Sequence, residues 1–153
     1  TGFGQGQVTS TPLQIAMVAA GIANDGVVMN PRLVDTVIGN DLSVIRSYDD
    51  SEFGRALESD VADDVTASMV ASVSTGAAQG ARIDGVDVAG KTGTTENGDK
   101  PYTLWFTGFA PADDPTVAVA VLVEDGGGQG QSGSGDTIAA PIAKKVIEAV
   151  LGR

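Results

Sequence analysis

An α+β fold, an antiparallel sheet flanked by helices, is the class that this sequence predicts. Three observations lead there. Apolar residues recur at helical spacing in two stretches of the first half and again at the end of the chain. The second half holds three stretches with the composition and period of strands. The connections between those strands are short, which favours antiparallel neighbours. The 153 residues suffice for one domain or most of one.

The first helix is announced by Thr11, Pro12 and Gln14, an N-cap, a proline at the first helical position and a capping box. Leu13, Met17, Ala20 and Ala23 give its expected buried stripe, and Asn24-Asp25-Gly26 its stop. Residues 32 to 48 predict a hairpin. Leu33, Val34, Val37 and Ile38 precede the turn cluster Gly39-Asn40-Asp41, and Val44 and Ile45 follow it. Asp49, Asp50 and Glu52 form an acidic patch expected to face water. Asp60, Asp63 and Asp64 are expected as first-turn charges of a second helix. Val61, Val65, Met69 and Val73 would be its apolar face and Gly76 its end.

The period then changes. Val86 and Val88 lead a first strand, expected at about 86 to 94. Tyr102, Leu104 and Phe106 alternate with Thr103, Trp105 and Thr107 in a second. Pro111-Ala-Asp-Asp-Pro115 marks a turn. Val117, Val119, Val121 and Val123 form one face of a third strand and Ala118, Ala120 and Leu122 the other, so this strand should be covered on both sides. Residues 126 to 135 contain six glycines and read as a mobile loop, or the flexible rim of a groove; no Gly-Lys-Ser or Gly-Lys-Thr makes them a phosphate loop. Asp136 or Thr137 is expected to cap a terminal helix, with Ile138, Ile142, Val146 and Val150 as its buried stripe.

Composition narrows the function. With 20 acidic and 9 basic residues the net charge is −11, which argues against a nucleic-acid or anionic-membrane surface. No apolar run reaches the roughly 20 residues that span a bilayer. Cysteine and histidine are both absent, which excludes disulfides, thiol chemistry, histidine bases and typical zinc sites. The opening Thr-Gly-Phe-Gly-Gln-Gly-Gln reads as the inside of a loop.

The chemistry concentrates in Val86-Asp-Val-Ala-Gly-Lys-Thr-Gly-Thr-Thr-Glu96. Lys91 supplies a point charge. In a strand, Lys91 and Gly93 share one face and Thr92 and Thr94 the other. Gly93 lets a substrate approach the backbone. At a sheet edge, open N–H and C=O groups can pair with an extended peptide, and one N–H can stabilise an oxyanion. The bland alternative is a surface lysine beside a glycine turn. Glu96 is better read as a turn carboxylate than as a proton carrier, and Trp105 as a core aromatic rather than a substrate platform. No serine has a lysine three residues on, and none has an asparagine two residues on.

Val88-Ala-Gly-Lys-Thr-Gly-Thr-Thr-Glu96 resembles the penicillin-binding transpeptidases, as does Trp105-Phe-Thr-Gly-Phe-Ala-Pro111 one hairpin later. Gly4-Gln-Gly6, Thr11-Pro-Leu-Gln14 and Ile22-Ala-Asn-Asp-Gly26 match the same family in the same order, so the resemblance covers nearly the whole chain. It extends to the monofunctional class B enzymes, including the actinobacterial penicillin-binding protein A type.

The resemblance implies a β-lactamase/transpeptidase-like domain. Residues 1–153 would be its C-terminal portion, with three main strands, the C-terminal helix and a second open edge on the last strand. It implies that Lys91 sets the field around a catalytic serine and recognises the carboxylate of substrate or β-lactam. Thr92 and Thr94 would bind that carboxylate, the Thr94 backbone N–H would serve the oxyanion, and Gly93 would keep the approach open. The serine–lysine and serine–asparagine motifs would precede Thr1. The implied reaction is acyl transfer from D-alanyl-D-alanine stem peptides of peptidoglycan, with no metal or organic cofactor. β-Lactams would acylate the same serine. The implied setting is the extracytoplasmic face of the bacterial membrane, through an anchor outside this chain. Cell-wall synthesis or division proteins are the partners implied for the full-length protein, and self-association through an open sheet edge is expected of this chain. A β-lactamase-related hydrolase and a noncatalytic module for cell-wall peptides are the competing readings.

Overall fold

The computed structural model describes residue 6 and residues 8–153. Apart from Gly6, the loop expected at residues 1–7 lies outside the described residues. Helix α1 spans Pro12–Ala23 and begins with the predicted capping box. The Gln14 N–H donates to Thr11 Oγ1 at 3.2 Å, and the Thr11 N–H to Gln14 Oε1 at 2.8 Å. Its buried face matches the predicted one only in part. Ala23 packs against the core cluster and Met17 is half-buried, as predicted, but Ala19 and Ile22 take the inner positions, and Leu13 and Ala20 are exposed. The helix is apolar nearly all round, so its periodicity singles out no face.

Residues 27–55 form an arm of two small antiparallel ladders. Strand β1 (Val27–Met29) pairs with β4 (Glu52–Arg55), and β2 (Thr36–Ile38) with β3 (Val44–Ser47). The inner pair is the predicted hairpin; the outer pair is an addition to it. In the turn, the Ser43 hydroxyl at 2.7 Å and the Ser43 N–H at 3.1 Å both donate to Asp41 Oδ1. They hold that carboxyl below the usual range, the hydroxyl most strongly. Arg32 pairs with Asp35 at 3.0 Å and Asp50 at 2.9 Å and donates to the Tyr48 carbonyl. The acidic patch is exposed, as expected.

Helix α2 spans Ser59–Ser74. Met69 and Val73 are buried and Val65 half-buried, as predicted; Val61 is exposed and Ala62 takes its place inside. Of the three aspartates only Asp60 lies in the first turn. The helix ends where Thr75 and Gly76 both donate backbone N–H bonds to the Ala71 carbonyl. A short 3-10 turn, Gln79–Ala81, then leads to the main sheet.

That sheet contains β5 (Ala89–Asn97), β6 (Lys100–Ala110) and β7 (Val117–Val123), antiparallel in the order β5-β6-β7. Strand β5 starts later than expected because Val86 is already bridged to Ile83. Phe106 and Ala110 face one layer, with Val73, Val88, Ala140, Ala143 and Ile147. Phe109 faces the other, with Ala19, Met69 and Ala89. The Phe106 ring lies over Gly90 and Gly108, cross-strand partners; a Cβ on Gly90 would stand 2.5 Å from Phe106 Cζ. Both faces of β7 are covered, one by α1 and the other by the terminal helix α3 (Ala140–Val150). Its outer edge is unpaired among the described residues.

The stripe of α3 is corrected. Ala140, Ala143 and Ile147 are fully buried, whereas Ile142 and Val146 are 44% and 42% exposed. A π-helical turn, Gly135–Ala139, enters the helix and shifts its phase from the regular spacing counted from Ile138. The cap is also different: Ser134, not Asp136 or Thr137, accepts the Thr137 N–H at 3.2 Å. The glycine-rich segment is not a free loop. Gln131 Nε2 donates to the Gly98 and Lys100 carbonyls, and the Tyr102 N–H to the Gly130 carbonyl. Its glycines serve positive φ at Gly126, Gly127, Gly128 and Gly130.

Candidate functional site

Strand β5 is an edge of the sheet, with β6 as its one ladder partner among the described residues. Its far side therefore leaves alternate backbone N–H and C=O groups open. Register decides which side chains meet. Lys91 lies opposite Thr107, Gly93 opposite Trp105 and Thr95 opposite Thr103. The Thr107 hydroxyl donates to the Val119 carbonyl at 3.1 Å and reaches the Ile15 carbonyl at 3.4 Å, which fixes this as the face towards α1.

A cavity of about 610 Å³ opens on this face, bordered by Lys91, Gly93, Thr95, Trp105, Thr107 and Ser10. A second hollow of about 600 Å³ adjoins it and shares Lys91 and Thr107. Its other walls are mostly apolar, with Val18, Ile22, Val65 and Met69 from α1 and α2. Lys91 thus stands where a cavity of mixed polar and apolar lining meets an apolar groove. It is exposed, and its Nζ donates to the Thr92 carbonyl at 2.8 Å. A larger cavity, about 760 Å³, lies at the other end of β5 beside Arg82, Asp87 and Asp113, away from this motif.

The two threonines of the motif differ. The Thr92 side chain is on the opposite face, where its hydroxyl donates to the Ala77 carbonyl at 3.1 Å. Its proton is therefore committed, and binding an acceptor-only carboxylate would require the hydroxyl to turn away from Ala77. Thr94 is exposed at the cavity rim. Gly93 has no room for a side chain without pressing on Trp105, whose Cβ would stand 3.2 Å from the added carbon. The alternation expected at Lys91 and Thr92 is thus kept in the strand.

Sequence reasoning misses two residues of this wall. Trp105 is half-buried beside Gly93 in the cavity instead of enclosed in the core. Thr107 reads in the sequence only as a polar alternate, although it is the cross-strand neighbour of Lys91. Register supplies both positions, and no signal in a single strand reports register.

The profile of the penicillin binding protein transpeptidase domain matches residues 1–148. The chain belongs to the penicillin-binding protein transpeptidase family. Peptidoglycan D,D-transpeptidase PbpA of Mycolicibacterium smegmatis is 47% identical over 153 residues, 97% of this chain and 31% of that protein. PbpA of Mycobacterium tuberculosis is 44% identical over 155 residues, 99% of this chain and again 31% of that protein. The structure of penicillin-binding protein A from M. tuberculosis, a ceftriaxone acyl-enzyme complex, matches with a TM-score of 0.91 at 44% identity, covering 97% of this chain and 34% of that one. This transpeptidase-domain chain is closely related to the actinobacterial PbpA proteins, and it spans about a third of their length. Among its described residues no helix is long and apolar enough to cross a membrane.

Proposed function

We propose that this chain is the Lys-Thr-Gly wall of a serine-type D,D-transpeptidase that cross-links peptidoglycan. The observation that carries the reading is the placement of Lys91 on the cavity face of an open sheet edge, inside a chain of this family. In the whole protein a serine attacks the D-alanyl-D-alanine amide of a stem peptide. The acyl-enzyme then passes to an amine of a neighbouring strand of the wall. Two steps through a covalent intermediate fit nucleophilic catalysis.

Each wall residue has a part in this. Lys91 is a fixed cation for the substrate carboxylate and the developing oxyanion, and such a charge acts most strongly where water is partly excluded. The open edge of β5 pairs with the extended stem peptide. Thr94 offers its backbone N–H to the oxyanion and its hydroxyl to the carboxylate. Thr92 joins the carboxylate once its hydroxyl leaves Ala77, and Gly93 admits the substrate. Lys91 and Thr94 are the catalytic pair of this chain; Thr92, Gly93 and Thr94 bind. β-Lactams enter as substrate mimics, a reading supported by the acyl-enzyme that ceftriaxone forms with the M. tuberculosis relative. The site faces the extracytoplasmic side of the membrane, where peptidoglycan is built.

A fluorescent penicillin tests this reading. The full-length protein should form a long-lived covalent serine adduct, seen by intact mass. Rapid turnover of the drug would make it a hydrolase, and no adduct would make it a noncatalytic binding module. Residues 1–153 alone should remain unmodified, because none of their serines carries the serine–lysine spacing.

A further inference from the structure

Behind the Lys-Thr-Gly strand, on the face away from the cavity, lies a chain of contacts that ends at a carboxylate. The Thr92 hydroxyl donates to the Ala77 carbonyl at 3.1 Å. Three residues on, the Gly80 N–H donates to Asp136 Oδ1 at 2.7 Å, a short bond in a partly buried setting. Residues 77–80 are thus held from both ends, by β5 and by the π-helical turn. Gly80 meets that turn so closely that an added Cβ would collide with the Asp136 backbone carbonyl and stand 3.2 Å from Pro141 Cδ. The turn itself rests on the strands: a Cβ on Gly135 would stand 2.9 Å from the Gly93 carbonyl oxygen and 3.1 Å from Thr92 Cβ. Asp136 does not border the cavity.

We propose that Asp136 is a positioning residue for the Lys-Thr-Gly strand. Its carboxylate holds the Gly80 amide, this fixes residues 77–80, and the Ala77 carbonyl then holds Thr92 from behind. An edge strand has one ladder, so its free side needs a second restraint if Lys91 and Thr94 are to meet a reacting carbonyl in register. The Thr92 hydroxyl supplies that restraint until a substrate carboxylate takes over its hydrogen bond, so it sets the register in which substrate first meets the strand, and Asp136 anchors its acceptor. The π-helical turn has a role here: its extra residue changes the helical phase just where Asp136 must face the 77–80 segment. The inference rests on the transpeptidase reading for its kinetic consequence, but not for its structural one.

The test uses the full-length protein with Asp136→Ala, Asp136→Asn and Gly80→Ala, none of which touches the cavity. Stopped-flow acylation by a fluorescent penicillin gives the rate per titrated site, and the burst amplitude gives the number of competent sites. Asp136→Ala should slow acylation per site by about three- to tenfold, the loss of one restraining hydrogen bond. Asp136→Asn keeps an acceptor oxygen and should stay within about twofold of the parent. Gly80→Ala drives a Cβ into the Asp136 backbone carbonyl and displaces the same segment, so it should slow acylation at least as much as Asp136→Ala. If Asp136→Ala does not fold, Asp136→Glu, which displaces the acceptor by one methylene, takes its place in the same comparison.

An unchanged rate per site with a lowered amplitude or melting temperature would reduce Asp136 to a stability residue and overturn the proposal. Equal damage from Asn and Ala would overturn it too. Amide hydrogen exchange separates this inference from the functional one. If the parent is not acylated at all, the transpeptidase reading fails. Asp136→Ala must still speed exchange at residues 77–80 and 89–94, and protection that does not change would sink the positioning role.

Discussion

Residues 27–55 and residues 89–123 are both antiparallel β-structure rich in β-branched residues, yet only the second builds a core. In the main sheet, Leu104, Phe106, Phe109 and Ala110 are fully buried between helical layers. In the arm, Phe53 is 73% and Ile45 68% exposed, and every residue of β2 and β3 lies at the surface. Propensity and turn chemistry suffice to write a hairpin. A core needs a second apolar face at the right height; α2 and α3 offer theirs to the main sheet, and α1 reaches the arm at β1, where Gly21 meets Val28. The arm is held by its turn, by the Arg32 ion pairs, and by Arg55, which donates to the carbonyls of Asp25 and Leu57 at its base.

Substitutions in the two regions should therefore differ by an order of magnitude. Phe106→Ala empties a site roofed by helices and floored by Gly90 and Gly108, and should cost about 3–5 kcal/mol in a denaturant titration. A loss under about 1 kcal/mol would mean that the layers collapse into the gap. Lys91→Ala sharpens the comparison, because this residue is in the sheet but not in its core. In the full-length enzyme it should lower the second-order acylation rate about tenfold or more, roughly 1.4 kcal/mol of transition-state stabilisation. The melting curve should hardly move; a collapsed transition would make Lys91 structural. Thr11→Ala, which removes the hydroxyl half of the α1 capping box, should cost about 1 kcal/mol, read from the same titration. Ile45→Thr in the arm should stay within about 0.5 kcal/mol. If it costs several times more, the exposed arm face is packed against something.

The arm also carries a pH signature of known sign. The folded Asp41 carboxyl titrates below its ordinary value because Ser43 hydrogen-bonds its ionised form. Its contribution is therefore present above the unfolded carboxyl pKa and lost as pH falls through the lower folded one. The Ser43 amide resonance should follow that acidic titration, and Ser43→Ala should bring the midpoint back up.

Much of this is legible in the residues. Thr11, Pro12 and Gln14 fix the start of α1 because a cap is local chemistry, and the β2–β3 hairpin is legible for the same reason. The three strands and their antiparallel order follow from period and short connections. What escapes is phase and register. Alanine-rich α1 has no distinctive face, so Ala19 cannot be told from Ala20. A π-helical turn before α3 moves the buried stripe from Ile142 and Val146 to Ala143 and Ile147. Trp105 reads as core because its surroundings are set by its partner Gly93 and not by its own strand. The Gly80–Asp136 bond joins residues 56 apart, and neither carries a local signal of the other.

One consequence of α2 concerns how the molecule comes apart. Met69 belongs to the layer on the α1 side, and Val73, one turn later, to the layer on the α3 side. The helix is therefore a rivet through the margin of the sheet. Neither layer can melt while the other stands without tearing one helix in the middle, and helices resist being split because each turn supports the next. Loss of order on either side should run through to the other, so that the sandwich fails in a single step while the arm frays on its own.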